Sequence, residues 1–107
     1  MTTEVVLSGS IQAVSVSIAA LIKSCRTSSM VAKAEIDALG ERIREAKALV
    51  RMQSNATLIR ANLDELMATQ RKIDSGALTG KLLEIALDNM HQLNEMNSRV
   101  IEGFGRG

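Results

Sequence analysis

The sequence predicts an all-α protein, and three observations support this fold class. The 107 residues include no Pro, Trp or Tyr, and one residue each of Phe, His and Cys. Apolar residues recur at spacings of three and four, which is the repeat of an α-helix. No stretch has the period-two alternation or the Asn-Gly turn that favours a β-hairpin. We therefore predict a helical hairpin or three-helix bundle with one long central helix and coiled-coil-like packing.

The first predicted helix spans residues 4–25. Its apolar row repeats at helical spacing and consists of Leu7, Ile11, Val14, Ile18, Leu21 and Cys25. Residues 5–22 carry no charge, which favours a core or interface helix with an uncharged outer side. Two alternatives stay open for this segment. One is a membrane-inserting segment, because its length is close to the minimum needed to span a bilayer, and the other is a secretion signal. The missing basic N-terminal region argues against a cleavable signal peptide.

The second predicted helix spans residues 30–73, with Ser28 or Ser29 as its N-cap. It has two apolar rows, which are Ala32, Ile36, Leu39, Ile43, Ala46 and Val50, then Met52, Ala56, Ile59, Leu63, Leu66 and Ile73. The register shift between the rows, at residues 49–56, is typical of a stutter in one continuous, bent helix. The alternative is a break at this point, with Asn55 as a new N-cap.

The third predicted helix spans residues 77–102, after a break at Asp74, Ser75 and Gly76. Gly76 suits the left-handed conformation that ends a helix. The apolar row of this helix is predicted to be Leu78, Leu82, Ile85, Met90 or Asn89, Leu93, Met96 or Asn97, and Val100. Residues 1–102 thus form a single helical domain, and residues 103–107 are too rich in Gly to remain helical, so we expect a flexible tail.

Self-association follows from the predicted lengths. A helix of about 44 residues is roughly 65 Å long. The two shorter helices could each cover one half of its apolar stripe, but so thin a layer would leave apolar surface open. A second copy of the chain would close the stripe. The residues expected to pack in this interface are Leu7, Ile11, Val14, Ile18, Leu21, Leu39, Ile43, Leu63 and Leu66.

Charge and rare residues indicate what the protein does not do. A formal net charge of +1 argues against a nucleic-acid partner. The row Arg44, Lys47 and Arg51 is more typical of a solvated basic face than of a phosphate site. His91 and Glu95 are four positions apart, which is typical of a side-chain pair on the surface of a helix. The alternative is half of a metal site, for which a second copy of the chain could supply the remaining ligands. We predict no catalytic, cofactor-binding or metal-binding residue.

Cys25, in register with the apolar row, is expected to be a buried hydrophobic residue. The alternative is that Cys25 is the acylated cysteine of a lipoprotein, but Lys23 interrupts the apolar motif that precedes such a cysteine.

The predicted function is non-enzymatic: a helical interaction or scaffolding protein that self-associates through aliphatic stripes, with a protein partner as a further option. The alternative is a subunit of a secreted or filamentous assembly, or a membrane-inserting protein, that uses the uncharged residues 5–22. We expect a cytoplasmic location, and secretion by a route that needs no signal peptide stays open.

Overall fold

The computed structural model describes residues 3–28, 31–51, 53 and 56–104, and for residues 3–9 and Phe104 it describes the backbone alone. Within this part of the chain there are four α-helices and no β-strand, so the all-α prediction is confirmed. The helices are α1 (Thr3–Thr27), α2 (Lys33–Val50), α3 (Thr57–Asp74) and α4 (Gly80–Phe104).

The four helices form an up-down-up-down bundle. Each helix contacts its two neighbours in a ring, with α1 beside α2 and α4, and α3 beside α2 and α4. Short connections make consecutive helices antiparallel, and α4 returns antiparallel to α1. The bundle measures 45 × 20 × 19 Å. Its long axis agrees with helices of 25 residues, each about 37 Å long.

The prediction of one long central helix over residues 30–73 is wrong, because the chain reverses between Val50 and Thr57. The register shift marks this reversal and not a stutter. After the turn, the apolar row of α2 faces the apolar row of α3 across the core. A continuous helix would leave both rows open to water, whereas the reversal buries them within one chain.

The helix starts also differ from the predicted caps. The residue before α2 is Ala32 and the residue before α3 is Ala56, and neither makes a side-chain capping hydrogen bond. Ser28 instead donates its hydroxyl to the Ser24 carbonyl in α1, at 2.8 Å. The other proposed caps, Ser29 and Asn55, lie outside the described residues.

The predicted break at residues 74–76 is confirmed. Helix α3 ends at Asp74, and Gly76 has a φ of +80°, in the left-handed region that closes helices. Gly103 and Phe104 remain helical, so α4 extends two residues beyond its predicted end. Residues 105–107 of the expected tail lie outside the described part.

Most of the predicted packing residues lie in the intramolecular core. The buried ones are Ile11, Val14, Ile18, Leu39, Ile43, Leu63 and Leu66. Leu21 is half-buried and packs against this core, whereas the side chain of Leu7 is among those not described. Since the enclosed side chains already pack within one chain, self-association has to use other residues.

Candidate interaction surface

The buried face of helix α4 agrees only in part with the apolar row predicted from the sequence. Its core positions are Ala86, Leu87, Met90, Asn94, Asn97 and Ile101. Several residues of the predicted apolar row are exposed instead: Leu82 is 61% exposed, Ile85 49% and Met96 43%. The prediction is wrong at these three positions, whereas Met90 and Asn97, which it gave as alternatives to Asn89 and Met96, lie in the core. Two asparagines occupy core positions while larger apolar residues face outward, so side-chain hydropathy alone does not select the buried face.

The exposed apolar residues form a continuous row along α4. We define the α4 stripe as Leu82, Ile85, Asn89, Leu93 and Met96. These positions follow helical spacing and lie on one side of the helix. Leu93 is half-buried and anchors the row to the core, while Asn89 is exposed at its centre. The stripe contains no charged residue.

The α4 stripe lies at the edge of α4 next to α3. A groove of about 240 Å³ separates the two helices, lined by Glu65 and Thr69 of α3 and by Asn89, Gln92, Leu93 and Met96 of α4. Leu58, on α3, is 48% exposed. The described part of the chain has five large exposed apolar side chains. Four belong to α3 and α4, and the fifth is Val16 of α1.

The opposite edge of α4, next to α1, is acidic. Glu84, Asp88, Glu95 and Glu102 recur there at helical spacing. Arg26 of α1 forms an ion pair with Asp88, with 2.6 Å between Nη2 and Oδ1. The outward side of α4 is thus divided lengthwise into an acidic edge and an uncharged apolar edge.

His91 lies on the acidic edge and forms the predicted surface pair. Its Nε2 is 3.2 Å from Oε1 of Glu95, and both side chains are partly exposed. Across the described residues, no three His, Cys, Asp or Glu side chains gather closely enough to hold a metal ion.

The basic row Arg44, Lys47 and Arg51 borders α3. Lys47 pairs with Asp64 at 2.9 Å, so an acidic residue of the same chain already neutralises part of this row. A shallow groove of about 240 Å³ there is lined by Lys47, Arg51, Arg60 and Asp64. Among the described residues, no aromatic side chain that could stack on a base lines this groove.

A cleft lies at the end of the bundle where α1 ends and α4 begins. It has a volume of about 560 Å³, and its walls include Cys25, Arg26, Leu83 and Asp88. Cys25 is 1% exposed, as predicted, and its thiol donates a hydrogen bond to Glu35 at 3.7 Å. Burial, and secondarily the negative charge of Glu35, raise the pKa of this thiol to about 11. A thiol held in the neutral form is a poor nucleophile.

The exposed residues of α1 between Ser10 and Ala20 carry no charge, in agreement with the uncharged segment at residues 5–22. Ser10, Gln12, Ala13, Val16 and Ala20 are exposed there. Among the residues searched, no helix has both the length and the apolar character needed to cross a membrane.

Comparison with known proteins finds no match. No family model fits the chain, and no curated protein or solved structure is significantly similar to it.

Proposed function

We propose that this protein is a non-enzymatic interaction protein that self-associates through the α4 stripe. The observation that carries the proposal is the exposure of Leu82, Ile85 and Met96 along one uncharged edge of α4. Contiguous exposed apolar surface with polar surroundings is typical of protein interaction sites.

The order of residues in the α4 stripe favours a second copy as the occupant. Ile85 and Leu93 lie four positions on either side of Asn89, and Leu82 and Met96 lie seven positions on either side. If two α4 helices pack antiparallel about a two-fold axis at Asn89, Leu82 meets Met96 and Ile85 meets Leu93. A two-fold interface requires this self-complementarity. Asn89 would face its own copy, a position at which a polar residue can fix the register of paired helices.

The distribution of charge also favours a second copy of the chain as the partner of the α4 stripe. The α4 stripe itself brings no charge to the two-fold axis, and the carboxylate of Glu65, which lines the adjoining groove, is exposed at its border. The formal net charge of +1 gives weak repulsion between chains. The stripe is about 21 Å long, which is short for a permanent dimer, so we expect a reversible dimer with a micromolar dissociation constant.

Light scattering coupled to size exclusion tests the proposal. The wild-type mass should rise from 11.5 kDa towards twice that value as concentration increases. Ile85→Glu places a charge in the interface and should weaken dimerisation more than tenfold. Val16→Glu is the matched control, since it makes the same type of change on the exposed side of α1 and should leave dimerisation unchanged.

Two outcomes would contradict the proposal. One is a wild-type chain that stays monomeric at every concentration up to the millimolar range. The other is an equal effect of Val16→Glu and Ile85→Glu. Circular dichroism of each variant is needed to show that the bundle is intact.

A second candidate function uses the uncharged side of α1. The exposed Val16, at 64%, and the lack of charge around it favour contact with a membrane surface or with a neighbour in a filament. Co-sedimentation with lipid vesicles distinguishes this function from the first. Binding that Val16→Glu abolishes and Ile85→Glu leaves unchanged would favour α1 over the α4 stripe.

A further inference from the structure

Asn97 of α4 is a buried side chain with an incomplete set of hydrogen bonds. It is 2% exposed, and its Oδ1 accepts a hydrogen bond from Nδ2 of Asn62 at 2.9 Å. Its own Nδ2 has no hydrogen-bond partner among the described residues. An amide nitrogen that is removed from water normally finds an acceptor.

Exchanging the oxygen and nitrogen positions of these amides does not remove the unpaired atom. If both Asn62 and Asn97 are turned by 180°, Asn97 becomes the donor of their shared hydrogen bond. Its Oδ1 then occupies the position without a partner. In either orientation Asn97 therefore needs one more polar group.

A small cavity adjoins this amide at the centre of the bundle. Its volume is about 10 Å³, and residues from all four helices line it. Among them are the polar side chains of Ser15, Asn94 and Asn97, together with apolar residues such as Ile18 and Leu63. A space of this size accommodates about one water molecule, and buried water requires two to four polar partners.

We propose that this cavity binds a single water molecule as a permanent part of the core. The water accepts a hydrogen bond from Nδ2 of Asn97 and donates one to Oδ1 of Asn94, while Ser15 lies beside it in the cavity wall. Asn94 can accept at Oδ1, because it uses its nitrogen to bond the Ser15 carbonyl at 3.1 Å. The water thereby joins a polar layer that links α1, α3 and α4, which includes the 2.7 Å hydrogen bond between Ser15 and Ser98.

Nuclear magnetic resonance of the whole chain tests the proposal. The side-chain amide protons of Asn97 should show cross-relaxation with a water molecule that tumbles with the protein. The amide of Gln70 is the internal control, since it is 5% exposed and already donates to the Ile36 carbonyl at 2.9 Å. It should show no such signal. Absence of the signal at Asn97 would overturn the proposal.

The hydroxyl of Ser15 exchanges protons with solvent and could give a similar signal. The same spectrum of Ser15→Ala separates the two sources, because this variant lacks the hydroxyl but keeps Asn94 and Asn97. Persistence of the signal supports a bound water, and its loss assigns the signal to the hydroxyl and overturns the proposal. Electron density from wild-type crystals is the second measurement: a peak within hydrogen-bonding distance of Asn97 supports the water, and an empty cavity contradicts it.

Discussion

Gly40 allows α2 and α3 to approach each other around a buried amide. A Cβ atom at this position would lie 2.8 Å from Nε2 of Gln70. Gln70 is fixed there by its hydrogen bond to the Ile36 carbonyl. Gly40 therefore has a packing role that outweighs the low helix propensity of glycine.

Gly40→Ala should lower the free energy of unfolding by about 1 kcal/mol. Alanine favours the helix by about 1 kcal/mol, but displacing Gln70 leaves a buried amide unpaired, which costs about 1–3 kcal/mol. In a Gln70→Ala background the same substitution should stabilise the protein by about 1 kcal/mol, because the obstruction is gone. Urea denaturation of the wild type, the two single variants and the double variant gives the free energies of this double-mutant cycle. Equal stabilisation in both backgrounds would show that the amide does not constrain Gly40.

The Cys25 thiol makes stability dependent on alkaline pH. Below pH 9.0 the thiol is neutral in both the folded and the unfolded chain. Between this pH and about 11 the unfolded chain loses the proton while the folded chain retains it, so the free energy of unfolding falls as pH rises. The loss should reach about 3 kcal/mol.

Cys25→Ala is the control for this pH dependence. The variant shares every other titrating group with the wild type, including Lys33, whose pKa is raised by hydrogen bonds from its ammonium group to Asp74 and Asp37. The difference in unfolding free energy between the two proteins should therefore shrink across this alkaline range. If the difference in unfolding free energy between the two proteins did not change with pH, this would contradict a buried thiol that stays neutral.

At the scale of elements, Gly76 and Gly103 provide a matched pair. Gly76 ends the turn after α3 with a φ of +80°, whereas Gly103 lies within α4 with open space around it. Gly76→Ala should lower the free energy of unfolding by about 1 kcal/mol, because a side chain strains the left-handed conformation. Gly103→Ala should leave it unchanged or raise it slightly. Thermal unfolding measures both variants, and a similar effect at the two positions would contradict the distinction.

The elements also show how far the sequence determines the fold. Apolar spacing predicted α1 and most of the apolar residues buried in α2 and α3, and the conformational preference of Gly76 predicted the break after α3. It did not predict the reversal at residues 51–56, because this segment has no Pro or Gly, and its register shift fits both a stutter and a turn. Only the packing of α2 against α3 decides between the two.

The candidate surface was harder to predict than the fold. In α4, Leu82 and Ile85 have the hydropathy of core residues, whereas Asn94 and Asn97 do not. The burial of both asparagines depends on hydrogen bonds to Ser15 and Asn62. These partners lie on other helices, and no local pattern in α4 indicates them.

At the scale of the whole molecule, the reversal changes the reason for expecting self-association. The chain encloses the aliphatic stripes of α1, α2 and α3 by itself. Three of the five large exposed apolar side chains in the described part of the chain belong to the α4 stripe, whose residues are arranged symmetrically about Asn89. A dimer would then form by contact between folded bundles, without exchange of helices.

Disulfide trapping at the proposed two-fold axis tests this dimer most directly. In a Cys25→Ala background, Asn89→Cys places one thiol at the centre of the α4 stripe, where it meets its own copy within the reach of a disulfide. We predict that mild oxidation converts this variant to a covalent dimer, while the matched variant Val16→Cys stays largely monomeric under the same conditions. Equal or faster cross-linking through Val16→Cys would contradict pairing through α4.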